Sequence, residues 1–357
     1  MLKRNKLFII LTVAAVLLSG GTFLHNKMAD WNKKGLTVLK VWENEKSLQH
    51  LPLYVAINQG FFTEAGLNIK IISRLDQPAT NPYAKNITDL ILTDPVEHIY
   101  QQSINPAAPK IVAVIANRDD TFLLARKKEP FTWDKLKGIN MISFPPETSP
   151  GFALEKILRQ KELQPMHDLS LYNRIPPDLR LGAFKAGSGS FIQLKGPAAY
   201  QAEAEGTGYI VASVGEESGR YPSVLCTAWP QIIQQKPEAI QSFVNAIYKA
   251  LLWIEHHPEL CAGSLASNFN NLDQKLRGKV VDKYIQLKMW QADPVFEQNL
   301  FADIQTLLDT SGLLPTTVTF AEAVDNSFSV KAQKTIKYLP EENGKQGWWQ
   351  KAVKSIF

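Results

Sequence analysis

Four times along this chain a short apolar run gives way to a turn, then to a proline, and then to a stretch with helical spacing. TVLKVW (37–42) leads to Pro52, DLILT to Asp94-Pro95, INMISF to Thr148-Ser149-Pro150, and SFIQL to Gly196-Pro197. Proline suits the first turn of a helix, because it has no N–H to lose there and its φ is already helical. Each unit therefore reads as a strand feeding a helix. Leu67–Ile72, KIVAVIAN and YIVASV supply further strands. Alternation of this kind predicts an α/β fold with mostly parallel sheets flanked by helices, whose ligands bind beyond the carboxyl ends of the strands, where helix N-termini point. Four such termini in one chain predict one shared cleft.

Local signals refine the pattern. Pro52 is expected to open a helix that Gly66 closes, Asp94 with Glu97 spells a capping box, and Ser149 is an N-cap candidate. From Lys236 onward the texture becomes helical only. Pro237 opens a helix with Ile240, Phe243, Val244, Ile247, Leu251 and Ile254 on one stripe, and Asp293-Pro294 opens another running to Gly312.

Charge separates the ends from the body. The formal net charge is +5, yet residues 1–35 hold six Lys/Arg against one Asp and residues 331–357 hold six Lys against two Glu. The intervening body is acidic, which excludes the broad basic face that nucleic acid requires. Lys3, Arg4 and Lys6 followed by an apolar run from Leu7 and by Ser19-Gly20-Gly21 form a secretory signal, or an uncleaved anchor if the run extends to Leu24. The chain is expected to be exported. No cysteine lies near enough for lipidation, and a disulfide between Cys226 and Cys261 stays open. Near the C-terminus, KQGWWQKAVKSIF predicts a basic amphipathic helix that either lies on a membrane or folds back on the body.

The stretch from Trp42 through HLPLYVAINQGFFTEAGLNIKI resembles the solute-binding proteins of ABC importers for nitrate, sulfonates, taurine and thiamine-precursor pyrimidines. TDLILTDPVEHI, ETSPGFALEKIL, KGPAAYQAEAEGTG and FADIQTLLDTSGLLP follow in that family's order. The resemblance implies a two-lobed, periplasmic-binding-protein-like clamshell of type II, with lobe one at 36–119 plus 222–330, lobe two at 120–221, and residues 1–35 and 331–357 outside them. It also implies a monomer that holds a small solute between its lobes and delivers it to an ABC permease in the membrane. The rivals are an enzyme of pyrimidine metabolism on the same clamshell and a membrane-tethered solute sensor.

Eight residues are the candidate ligand contacts, each with a plainer alternative. Trp42 can stack on a heterocycle or cover a sulfonate's alkyl part, or be a core or rim side chain. His50 and Tyr54, in a His-x-Pro-x-Tyr arrangement like that of the pyrimidine-binding branch, can hydrogen-bond a ring, with a surface-loop histidine as the alternative for His50. Asp94 can reach a ligand N–H or only cap its helix. Thr148 and Ser149, with the amides of Gly151 and Phe152, make an anion cradle or a simple cap. Asn117 follows the strand KIVAVIA at the expected crossover, as a ligand amide or part of a hinge. Gly196 lets backbone approach the solute. Arg118 and Arg126 are the candidate anion counter-charges, or surface ion pairs.

Catalytic and cofactor signatures are poor. There is no GxGxxG, GxxxxGK[ST], CxxC or HExxH; His256 and His257 are adjacent, so on a helix they point about 100° apart. GSGS at 187–190 precedes a strand rather than a helix. No catalytic residue, metal or cofactor is expected.

Overall fold

The computed structural model describes residues 35–338 other than 75, 79, 85 and 86. The expected N-terminal signal or anchor and the aromatic tail helix lie outside the described residues. Ten strands follow one another as β1 (Thr37–Glu43), β2 (Leu67–Ser73), β3 (Leu90–Thr93), β4 (Lys110–Ala116), β5 (Thr121–Ala125), β6 (Asn140–Ile142), β7 (Ser170–Tyr172), β8 (Phe191–Lys195), β9 (Tyr209–Ser213) and β10 (Val224–Ala228). They form two five-stranded sheets, ordered β2-β1-β3-β10-β4 and β7-β6-β8-β5-β9. This is an α/β fold of two lobes, each a sheet flanked by helices.

Both sheets are mixed. In the first, β10 runs antiparallel to β3 and β4; in the second, β5 runs antiparallel to β8 and β9. The remaining pairs are parallel. The reversal has a geometric cause. β5 and β10 are the strands by which the chain enters the second sheet and returns to the first, over crossings at 117–120 and 218–223. A crossing that short cannot turn the chain around, so each of these strands starts at the edge where its neighbours end.

All four predicted prolines stand in the first turn of their helices, Leu51–Asn58, Pro95–Ile104, Ser149–Gln160 and Gly196–Ala204. Gly60 corrects the first: it adopts φ +79°, so the helix ends at Asn58 and Phe61–Glu64 forms a separate turn. The helix Pro237–His256 buries its whole predicted stripe. The later helix begins at Gln298 rather than at Pro294, because the Pro294 carbonyl accepts from the Val114 N–H at 2.8 Å and ties that segment to the β4 edge. Residues 331–338 also depart from expectation. The helix Ser327–Thr335 buries Phe328 and Ala332 in the core, and Tyr338 stacks on His256 at 3.7 Å. Cys226 and Cys261 are buried free thiols, and burial pushes Cys261 up to about 12. Among the described residues, no helix is long and apolar enough to cross a membrane.

Candidate functional site

A cavity of about 120 Å³ lies where the two sheets present their strand ends to each other. β1 runs out into Asn44, Glu45 and Ser47, with Gln49 and His50 just beyond; β3 ends in Thr93 and Asp94. Across from them stand Ser149 and Pro150 at a helix start and Lys195 at the end of β8. The crossings contribute Asp119, Asp120 and Ser223. A neighbouring cavity of about 390 Å³ shares Asn44, Leu92, Thr93 and Asp94 with the first, and adds Trp42, Arg74, Tyr83, Glu97, Glu147 and Thr148.

Five of the eight predicted residues thus line the cleft: His50, Asp94 and Ser149 the smaller cavity, Trp42, Asp94 and Thr148 the larger. Several do other work as well. Trp42 is 1% exposed and packs with Ile91 and Trp229, which makes it mainly a core side chain. His50 Nδ1 lies 3.2 Å from Glu43 Oε2. Asp94 Oδ1 accepts from the Val96 and Glu97 amides at 2.9 and 3.0 Å, and burial raises its carboxyl to about 6. The capping box is only half formed, since the Glu97 side chain accepts from Gln101 instead.

The anion cradle is already occupied by the protein. Thr148, not Ser149, is the N-cap; its hydroxyl accepts from the Gly151 amide at 3.4 Å, and the Phe152 amide donates to the Thr148 carbonyl at 2.8 Å. A Cβ on Gly151 would lie 1.9 Å from the Pro145 carbonyl oxygen, so glycine is required there for the main chain to approach this closely. The Ser149 hydroxyl pairs with the Tyr221 phenol.

Tyr54, Asn117 and Gly196 line neither cavity. The Tyr54 hydroxyl donates to Glu43 Oε2 at 2.6 Å, and burial beside that carboxylate raises the phenol far above its usual range. Asn117 is 1% exposed and serves the hinge: its N–H donates to the Met289 carbonyl at 2.8 Å and its carbonyl accepts from the Tyr221 N–H at 3.0 Å. Gly196 leaves room for Tyr284 rather than for a solute, because a Cβ there would lie 2.3 Å from the Tyr284 hydroxyl. Arg118 donates to the Leu287 carbonyl at 3.0 Å, and Arg126 donates to Phe184 and Gly189 carbonyls while lying over the Phe184 ring. Neither lines the cleft.

Sequence reasoning missed two deeply buried carboxylates that line the cavity. Asp119 and Asp120 are 2% and 3% exposed. Asp119 Oδ1 accepts from Thr121, and Asp120 Oδ2 accepts from the Tyr284 hydroxyl at 3.2 Å. Burial raises Asp119 to about 7; burial and the Asp119 charge raise Asp120 to about 8. Lys195, lowered to about 8 by burial, pairs with Glu45 of the first lobe. The available signal was an Asp-Asp pair immediately after a buried strand, at the crossover.

The family described as NMT1/THI5 like matches residues 47–260. A provisionally named binding protein of Bacillus subtilis, YtlA, is 30% identical over 300 residues, covering 83% of this chain and 90% of its own length. The periplasmic sulfonate-binding protein SsuA of Methylobacillus flagellatus superposes with a TM-score of 0.66 at 16% identity, over 84% of this chain and 94% of its own. The desulfurization enzyme DszB superposes with a TM-score of 0.63 at 16% identity, over 83% and 99%. The same clamshell is thus found in binding proteins and in an enzyme.

Proposed function

Since the chain belongs to the NMT1/THI5-like family, whose relatives here include binding proteins, we propose that it is the extracytoplasmic solute-binding component of an ABC importer. It captures a small polar solute in the cleft and presents the closed form to a membrane permease. The observation that carries this reading is the interlobe cavity itself. Its walls come from both lobes, with Asn44, His50 and Asp94 on one side and Ser149 and Lys195 on the other. A solute touching both walls stabilises the closed arrangement by its differential affinity for that state, which is the signal a permease reads.

An enzyme on this clamshell is the weaker reading. Both cysteines are buried away from the cleft, their thiols pushed upward by burial, so neither serves as a nucleophile there. The proposed chemistry is therefore capture without conversion. Calorimetry and thermal unfolding of the full chain against a solute panel test it: a bound solute at 100 times its Kd adds about 2.7 kcal/mol of stability and is recovered intact. Recovery of a chemically altered solute at a catalytic rate overturns the reading.

A further inference from the structure

The inner wall of the cleft is acidic, and the protein leaves that charge unanswered. Asp119 and Asp120 are both more than nine-tenths buried and both face the cavity. An ionised carboxylate has about four acceptor sites. The hydrogen bonds to Asp119 reach only Oδ1, both from Thr121, and among the described residues none reaches its other oxygen. Asp120 accepts the Tyr284 hydroxyl alone from side chains. Lys195, the cation on this wall, is engaged by Glu45, and His50 is held on Glu43. Arg74 stands in the neighbouring cavity, which also holds Glu97 and Glu147.

Resting on the solute-binding reading above, we propose that the solute is a small nitrogen base with one positive charge, its N–H groups bound by Asp119 and Asp120. Such a cation supplies the donors that these oxygens lack and the charge that burial withholds from them. A nitrate or sulfonate would bring a second negative charge into the same low-dielectric space, where like charges repel strongly. The amides that would have cradled an anion, those of Gly151 and Phe152, are already bonded within their own helix turn.

Full-length protein is titrated calorimetrically with methylguanidine, n-butylamine and 4-aminopyridine, and with ethanesulfonate and nitrate as anionic controls. The expected result is saturable binding of at least one base, weakened at least tenfold in Asp120→Asn. Near pH 7 the same titration in buffers of different ionisation heat should show proton release, as the raised carboxyls ionise against the cation. Asp120→Asn keeps the acceptor for Tyr284 and removes a buried charge, so the empty variant should melt no lower than the parent; a purely structural role would lower its melting temperature. Failure of every base to bind overturns the proposal, as does equal binding by Asp120→Asn. An anion that binds where the bases do not, and closes the lobes, overturns it while leaving the importer reading standing.

Discussion

The Tyr284 hydroxyl occupies the place where a side chain on residue 196 would begin, 2.3 Å from the ideal Cβ position. Tyr284 belongs to the helix Gln274–Gln286, which follows the return crossing, and Gly196 starts the helix after β8 in the second lobe. The contact therefore packs the Gln274–Gln286 helix against the helix that follows β8, beside the Asp120 carboxyl that Tyr284 also holds.

Gly196→Ala should overpack this junction. Tyr284 is fully buried and has no free direction to move, so a cost of about 1–3 kcal/mol is expected, read as a lowered melting temperature. Adding Tyr284→Leu should recover part of that loss, giving less damage than the two single effects summed. Additive losses would show that the residues do not meet.

Trp42→Ala should behave as a core truncation. With 1% exposure and contacts to Ile91 and Trp229, the indole's removal is expected to cost about 3–5 kcal/mol in the empty protein. A melting temperature within a degree or two of the parent would instead place Trp42 at a rim.

Glu45→Gln removes the partner of Lys195 across the cleft. Glu45 is 58% exposed and Lys195 33%, so the pair contributes at most about 1 kcal/mol. Unchanged empty-protein stability is expected, with solute affinity falling a few-fold and losing part of its salt dependence. X-ray scattering with and without solute checks whether closure is what weakens.

Stability of the empty protein should rise as pH falls from 8 to 6.5. The carboxyls of Asp119 and Asp120 sit at about 7 and about 8 in the fold, above their unfolded value of 3.8, so their contribution is present at low pH and lost as pH climbs through those values. Below pH 6.5 one group opposes this trend. His98, buried against the Ala323 carbonyl, is lowered from 6.5 to about 4, so the unfolded chain binds its proton first and the His98 contribution falls as pH drops through that interval. The two carboxyls outweigh the one imidazole, so the melting temperature should keep rising below pH 6.5; Asp120→Asn should flatten that rise, and His98→Gln should steepen its acid part.

The strand–proline–helix units, the Pro237–His256 stripe and the α/β class were legible in the sequence because each rests on neighbours within about one helical turn or one strand. Proline's missing N–H and fixed φ act on the residue itself, and periodicity is a local property. Capping was nearly as plain, with Thr148 in place of Ser149 as the only shift of position there. What the sequence could not show was which polar groups are spent on the protein and which are left for a solute. His50 and Tyr54 look free until Glu43 is seen between them, Gly196 looks like access until Tyr284 fills it, and Arg118 looks like a counter-charge until Leu287 takes its N–H. Asp119-Asp120 reads locally as a polar turn after a strand. It becomes the buried floor of a cleft only because two short crossings bring the sheet edges face to face, and desolvation by distant chain decides the charge that those carboxyls carry.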